Sequence, residues 1–341
     1  MTLVFVLALV LVLAYVPHVL YGQWVYEDAA WRPLLSASMS TWWRPRGGTR
    51  LLWWVQGQLT REPWLVHGVS LAMHVVVAWL TVLLMRRLGL SRSAQAVAAV
   101  IVTLHPLSVE TVAYAAQQSE LVAAIGVLTA CVLATYRWWR PSVAVGIVAA
   151  LWLGVLGKES ALVGLGLVPL IMALRPWRPA WAQLWIPALV ATCALLAGLL
   201  YYGGWSPVVN IGEAPGATVL WGEWVRLQST AAVRLLWLLV VPVGPFTVDY
   251  DYHRVSMTMQ IGSVVLLLLL AGSALRGWME SRSYVTAGIL WLLIILVPRF
   301  IVHTPRSVMN EHQVYLWLPG FALVVGAIMD NCPPSRAKQE A

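Results

Sequence analysis

Apolar runs of about 20 residues recur along nearly the whole chain, and each could cross the hydrocarbon layer of a bilayer as an α-helix. The pattern predicts spans near 2–21, 64–85, 93–107, 119–136, 143–157, 160–174, 182–202, 259–275, 284–299 and 313–329. Backbone groups in lipid must bond within their own segment, and the alternation of a membrane barrel is absent. The expected class is therefore all-α, a polytopic transmembrane helix bundle of roughly 10–11 spans. The segment 226–245 leaves the count open, because its apolar run contains Arg226, Arg234, Pro242 and Pro245. It reads as a span, a re-entrant piece or an interfacial helix. The first run has no basic segment before it and many spans after it, so it reads as a retained helix rather than a signal peptide. Residues 1–330 are expected to form one transmembrane domain with a long first outer loop at 22–62. Residues 331–341 form a short polar tail. No internal repeat of solenoid period is visible.

Composition sharpens this picture. Of 341 residues, 60% are hydrophobic and 11% charged, against about 25% charged in a soluble protein. Many of the 21 tryptophans sit at the ends of apolar runs, as Trp53, Trp54, Trp138 and Trp139 do, which is the pattern of an interfacial aromatic belt. The stretch WWRPRGG in the first loop reads as partly helical and lying on the membrane. Cys131, Cys193 and Cys332 have no pairing or metal spacing. The net charge of +8 points to topology and anionic lipid, not to nucleic acid. With the N-terminus inside and 226–245 not crossing, the inner side holds eleven of the 22 basic residues but only three of the 14 acidic ones. The carboxylates gather on the outer face.

Charges at membrane depth need partners or a wet cavity. Four stretches break the apolar pattern on the expected outer side: VYEDAAW (25–31), LHPLSVETVAYAAQQSE (104–120), GKES (157–160) and MNEHQVYLWLPGF (309–321). VDYDYHR (248–254) joins them if 226–245 does not cross. Together they bring carboxylates, a lysine, histidines and tyrosines to one side of a bundle, as a site for a polar or anionic substrate would.

The ordered set resembles the GT-C superfamily of integral-membrane glycosyltransferases. Within it, the chain is most similar to the membrane domain of the tetratricopeptide-repeat-carrying transmembrane O-mannosyltransferases and their bacterial relatives; protein O-mannosyltransferases are more distant. The likeness rests on Tyr26-Glu27-Asp28 after the first span, His67 and His74 in the second helix, and His105-Pro106 with Glu110. Lys158-Glu159, and Glu311-His312 with Tyr315 and Leu316, complete it. Gln118 and Gln313 stand where members of that family often carry Arg, and no repeat domain is expected to follow the last span.

The resemblance implies transfer of a sugar, mannose among the candidates, from a polyprenyl-phosphate donor to an acceptor hydroxyl, with inversion at the anomeric carbon. It implies that the acidic pair is the catalytic base, Asp28 first and Glu27 second. A carboxylate at the membrane surface suits a hydroxyl that arrives from water. The departing lipid phosphate needs cations. Lys158 is the first candidate for that role, with Arg234, Arg299, Arg306 and His312 behind it. His105, Glu110, Gln118, Glu120, Glu159, Glu311 and Tyr315 are expected to orient substrate. No cofactor is required, and no octahedral carboxylate cluster suggests a metal. Expected partners are membrane lipids, the lipid-linked donor and a protein or glycan acceptor. The expected location is the cell's inner or plasma membrane, crossed several times, with the active face extracytoplasmic. Two other classes compete: a lipid or anionic-solute transporter or flippase, and an inactive scaffold of the same fold.

Overall fold

The computed structural model describes residues 15, 19, 35, 46–136, 141–174, 221–243, 254–281, 283–301, 308–309 and 311–331. These are helical or in short connections, with no strand among the described residues. The helices are α1 (Gly47–Leu59), α2 (Pro63–Leu88), α3 (Arg92–Leu104), α4 (Val109–Ala113), α5 (Gln118–Leu133) and α6 (Pro141–Gly157). They are followed by α7 (Gly164–Ala173), α8 (Trp221–Val240), α9 (Met257–Ser281), α10 (Tyr284–Ile301) and α11 (Trp317–Asn331).

Among the described residues, three helical stretches are long and apolar enough to cross a membrane: Pro63–Leu88, Ala115–Leu133 and Met257–Ser281. A fourth arises if α3 and the segment Pro106–Ala113, bent by 52°, count as one broken span. Of the roughly 10–11 spans read from the apolar pattern, three or four meet that length and composition among the described residues, and Ser142–Gly157, Glu159–Ala173, Tyr284–Phe300 and Trp317–Asp330 are shorter apolar helices; polar breaks set several of their ends. α3 stops at His105, whose successor Pro106 disfavours continued helix. α6 stops at Lys158, which is extended (φ −158°, ψ 146°). α11 begins only after the short turn Glu311–Val314. The expected spans 2–21, apart from Tyr15 and Val19, and 182–202 lie outside the described residues.

The breaks lie at one end of the bundle. The other end is closed by short polar contacts. Gly89, left-handed at φ 87°, ends α2 after Arg86 and Arg87. The Ser91 side chain caps α3 by accepting from Ala94 N–H, and the Ser91 N–H donates to Asp330 of α11. The Tyr284 hydroxyl at the start of α10 donates to Leu88 O at 2.6 Å. Gly277 near the end of α9 lies against Thr286 of α10, so α9 begins at the broken, polar end. α8 starts beside it, with Arg226 Nε donating to Gln260 Oε1 at 3.4 Å. Near its end, Leu239 O accepts from His105 Nε2 at 3.0 Å. Both contacts lie toward the polar end, so α8 does not carry the chain to the far end.

The core is one large apolar cluster drawn from α2, α3 and α5 to α11. Several tryptophans belong to it rather than to a surface belt. Trp291 Nε1 donates to Leu316 O at 2.8 Å, and Trp317 Nε1 to Leu292 O at 3.0 Å, which clasps α10 to α11. Trp53, expected at the interface, is fully buried with Leu35, Val66 and Ala115. α1 is helical as expected, but it is docked rather than floating: Gly48 lies against Leu156 and Gly57 against the Leu35 backbone. Trp64, Trp79 and Trp237 do face outward.

Candidate functional site

The polar end gathers side chains from segments distant in sequence. α4, one and a half turns long, is held between the break at His105 and the next break at Tyr114. It presents Glu110 to the Glu311–Val314 turn. Glu110 Oε2 accepts from the His312 backbone N–H at 2.9 Å, and Oε1 pairs with His312 Nδ1 at 2.7 Å. Both residues are buried.

A second group lies within electrostatic range of His312. Lys158 Nζ is 2.8 Å from Glu120 Oε1. The Ser160 hydroxyl donates to Glu120 Oε2 at 2.7 Å. Lys158 is 6% exposed and Glu120 4%, so neither charge could persist without the other nearby. Burial pulls the Lys158 ammonium below its usual range, while the Glu120 carboxylate pushes it back up. The neighbouring Glu159 is held by Arg46, whose NH2 and Nε groups donate to its two carboxylate oxygens at 2.8 and 3.3 Å. Arg46 takes the left-handed conformation at φ 61°, unusual for a side-chain-bearing residue. It caps α1 at the point where Thr49 donates to Gly157 O at 3.0 Å. The first loop is thereby fastened to the GKES break.

Arg299, near the end of α10, completes the group. It is within electrostatic range of Glu120, Glu159 and Arg46, and it makes no hydrogen bond or ion pair with another described residue. Arg46, Lys158 and Arg299 therefore face Glu120 and Glu159, with Glu110 on α4 and Glu311 on the neighbouring turn.

The other sequence candidates take varied positions. Both ring nitrogens of His105 are engaged by backbone: Nδ1 accepts from Leu107 N–H and Nε2 donates to Leu239 O. Gln118 is fully buried. Its amide donates to Val66 O at 2.9 Å and lies within bonding distance of Gln56 and Ser70, while it accepts from Gln56 Nε2 at 3.0 Å. It therefore joins α1, α2 and α5 instead of facing a ligand. Tyr315 is buried and bonds His74 Nδ1, whose Nε2 faces Thr103 O. Glu311 is buried beside His312. Arg234 is half-buried on α8, five residues before Leu239. Glu27, Asp28 and Arg306 lie outside the described residues. Tyr15 lies 6.4 Å from His74, ring to ring, and Val19 lies against Gly68. Leu35 packs with Trp53, Val66 and Ala115.

Arg46, Gln56 and Ser160 belong to this arrangement and were not singled out as site residues in the sequence. Ser160 was within reach, as the last residue of GKES. Nothing in the sequence ties Arg46 to Glu159, 113 residues away. Among the described residues, no group of His, Cys, Asp or Glu has the arrangement to hold a metal ion. No family model, curated protein or solved structure matches this chain.

Proposed function

We propose that this chain is a membrane glycosyltransferase of GT-C type. It transfers a sugar, mannose by resemblance, from a polyprenyl-phosphate donor to a hydroxyl on a protein or glycan, at the extracytoplasmic face of the plasma membrane. Asp28, assisted by Glu27, takes the acceptor proton. The acceptor oxygen then bonds the anomeric carbon from the face opposite the phosphate. The carbon–oxygen bond to phosphate breaks, and its electron pair leaves on the lipid phosphate, so configuration inverts. Lys158 and Arg299 hold that phosphate.

One observation carries the reading: the Arg299 guanidinium lies at the polar end of an otherwise apolar bundle, near Glu120 and Glu159 yet hydrogen-bonded to no described residue. A planar fork of donors in a part-buried site suits a phosphate. An oily carrier brings such a group from the bilayer, while the acceptor arrives from water. An inactive scaffold of the same fold is favoured by a different observation: Lys158, Glu110 and Glu159 already have internal partners.

Mass spectrometry of cell-envelope glycans and proteins separates the readings. Cells lacking the chain should lose a sugar adduct that wild type restores and that Asp28→Asn and Arg299→Gln do not. Restoration by both variants would favour the scaffold. A change in solute or lipid flux with no adduct at any stage would favour a transporter.

A further inference from the structure

The Glu110–His312 pair leaves one atom of the imidazole uncommitted. Glu110 holds both the backbone N–H and Nδ1 of His312, so ring orientation and turn position are fixed by one carboxylate. Nδ1 is thereby the donor to Glu110. No described residue bonds Nε2, which is the ring atom left to meet a ligand. His312 is 7% exposed, so the ring is kept from bulk water while its position is fixed. The ionisable groups around it are mostly acidic. Glu110 comes from α4, Glu120 from α5 within electrostatic range, and Glu311 from the same turn. His105 borders the 3-10 turn Pro106–Ser108 packed against it, but its nitrogens are taken by backbone. Lys158 is tied to Glu120. Nδ1–H rests on Glu110, and Nε2 is presented to the site from a fixed ring.

We infer that His312 is the general acid of the site: it gives its Nε2 proton to the phosphate oxygen that leaves the anomeric carbon. The assignment rests on the glycosyltransferase reading above. As the carbon–oxygen bond breaks, the electron pair goes to that oxygen and the Nε2–H proton follows it. His312 is left neutral, still donating from Nδ1 to Glu110. The imidazole regains its proton from water before the next turnover.

The test uses the full chain in lipid nanodiscs with a water-soluble acceptor glycan. Two donors of the same sugar are compared, a polyprenyl phosphate and a dinitrophenyl glycoside whose leaving group needs no proton. His312→Asn keeps an N–H toward Glu110 and removes Nε2. Its transfer rate from the polyprenyl phosphate should fall about 10²–10⁴-fold, the usual contribution of a general acid. Its rate from the activated donor should fall less than about tenfold, because that chemistry needs no acid. Glu110→Gln, whose amide can accept only one of the two N–H groups that Glu110 takes, should lower the polyprenyl-phosphate rate while sparing the activated donor in the same way. Equal losses on both donors, or wild-type rates on both, overturn the acid assignment. If the wild-type chain transfers no sugar from either donor, the glycosyltransferase reading falls and the acid assignment with it.

Discussion

At the scale of single residues, the buried charges are legible as pairs. Lys158 interrupts two apolar helices, and its ammonium stays there because Glu120 stands 2.8 Å away with Ser160 on its other oxygen. Removing one partner of such a pair leaves an uncompensated charge, which typically costs about 3–5 kcal/mol, whereas replacing both by apolar groups is often neutral or stabilising. Glu120→Gln should therefore lower the thermal unfolding midpoint in detergent sharply. The double variant Glu120→Gln/Lys158→Met should recover most of the loss, and a double variant no better than the single one would show that the pair is not coupled. Gln118 teaches the converse. Its neutral amide is matched to Gln56, Ser70 and a backbone carbonyl, so a guanidinium, which has no acceptor, would leave one Gln56 Nε2–H unmet and find no carboxylate among these three. This gives a packing reason for glutamine in a position where the resembled family often has arginine.

At the scale of elements, close helix contact sets the frame that carries the breaks. α5 and α6 pack along each other through Gly126 and Gly154. A side chain on Gly126 would place its Cβ 2.5 Å from Ala150 O and 2.6 Å from the Gly154 Cα. Small residues permit this approach between helices in an apolar setting. Gly126→Ala should thus destabilise by about 1–3 kcal/mol through overpacking, despite alanine's better helix propensity. Gly272→Ala on α9, where nothing lies within 4 Å, should leave the midpoint unchanged or raised. Parallel melts of the two variants in one detergent check this. The contact fixes where α6 ends, and so where Lys158 meets Glu120.

For the whole molecule, the two ends differ in kind. The far end carries Arg86, Arg87 and Arg92 with Asp330, in short turns; Arg87 stacks over Tyr136 at 4.6 Å. The polar end carries the interior carboxylates. Basic short loops favour the cytoplasmic side, so the polar end is expected to face outward. In a cysteine-free background, Glu62→Cys at the exposed polar end should react with a membrane-impermeant maleimide in intact cells. Ser93→Cys at the far end should react only after permeabilisation. The reverse pattern would turn the molecule over and place the acceptor in the cytoplasm.

Periodicity and composition by themselves determined the helical class and the approximate positions of α2, α3, α5, α6, α9, α10 and α11, because long apolar runs have few other ways to satisfy their backbones. They also picked out Glu110, Glu120, Lys158 and His312, since an ionisable residue inside such a run stands out. Only the tertiary structure decided the partners: Glu110 with His312 across 202 residues, and Glu159 with Arg46 across 113. It also decided that several helices stop at one level, that Trp53 is buried, and that α8 ends against His105. Those outcomes depend on which helix faces lie together. A one-dimensional pattern holds no record of contacts between distant segments; these are chosen by side-chain packing and by the need of each buried charge for a neighbour.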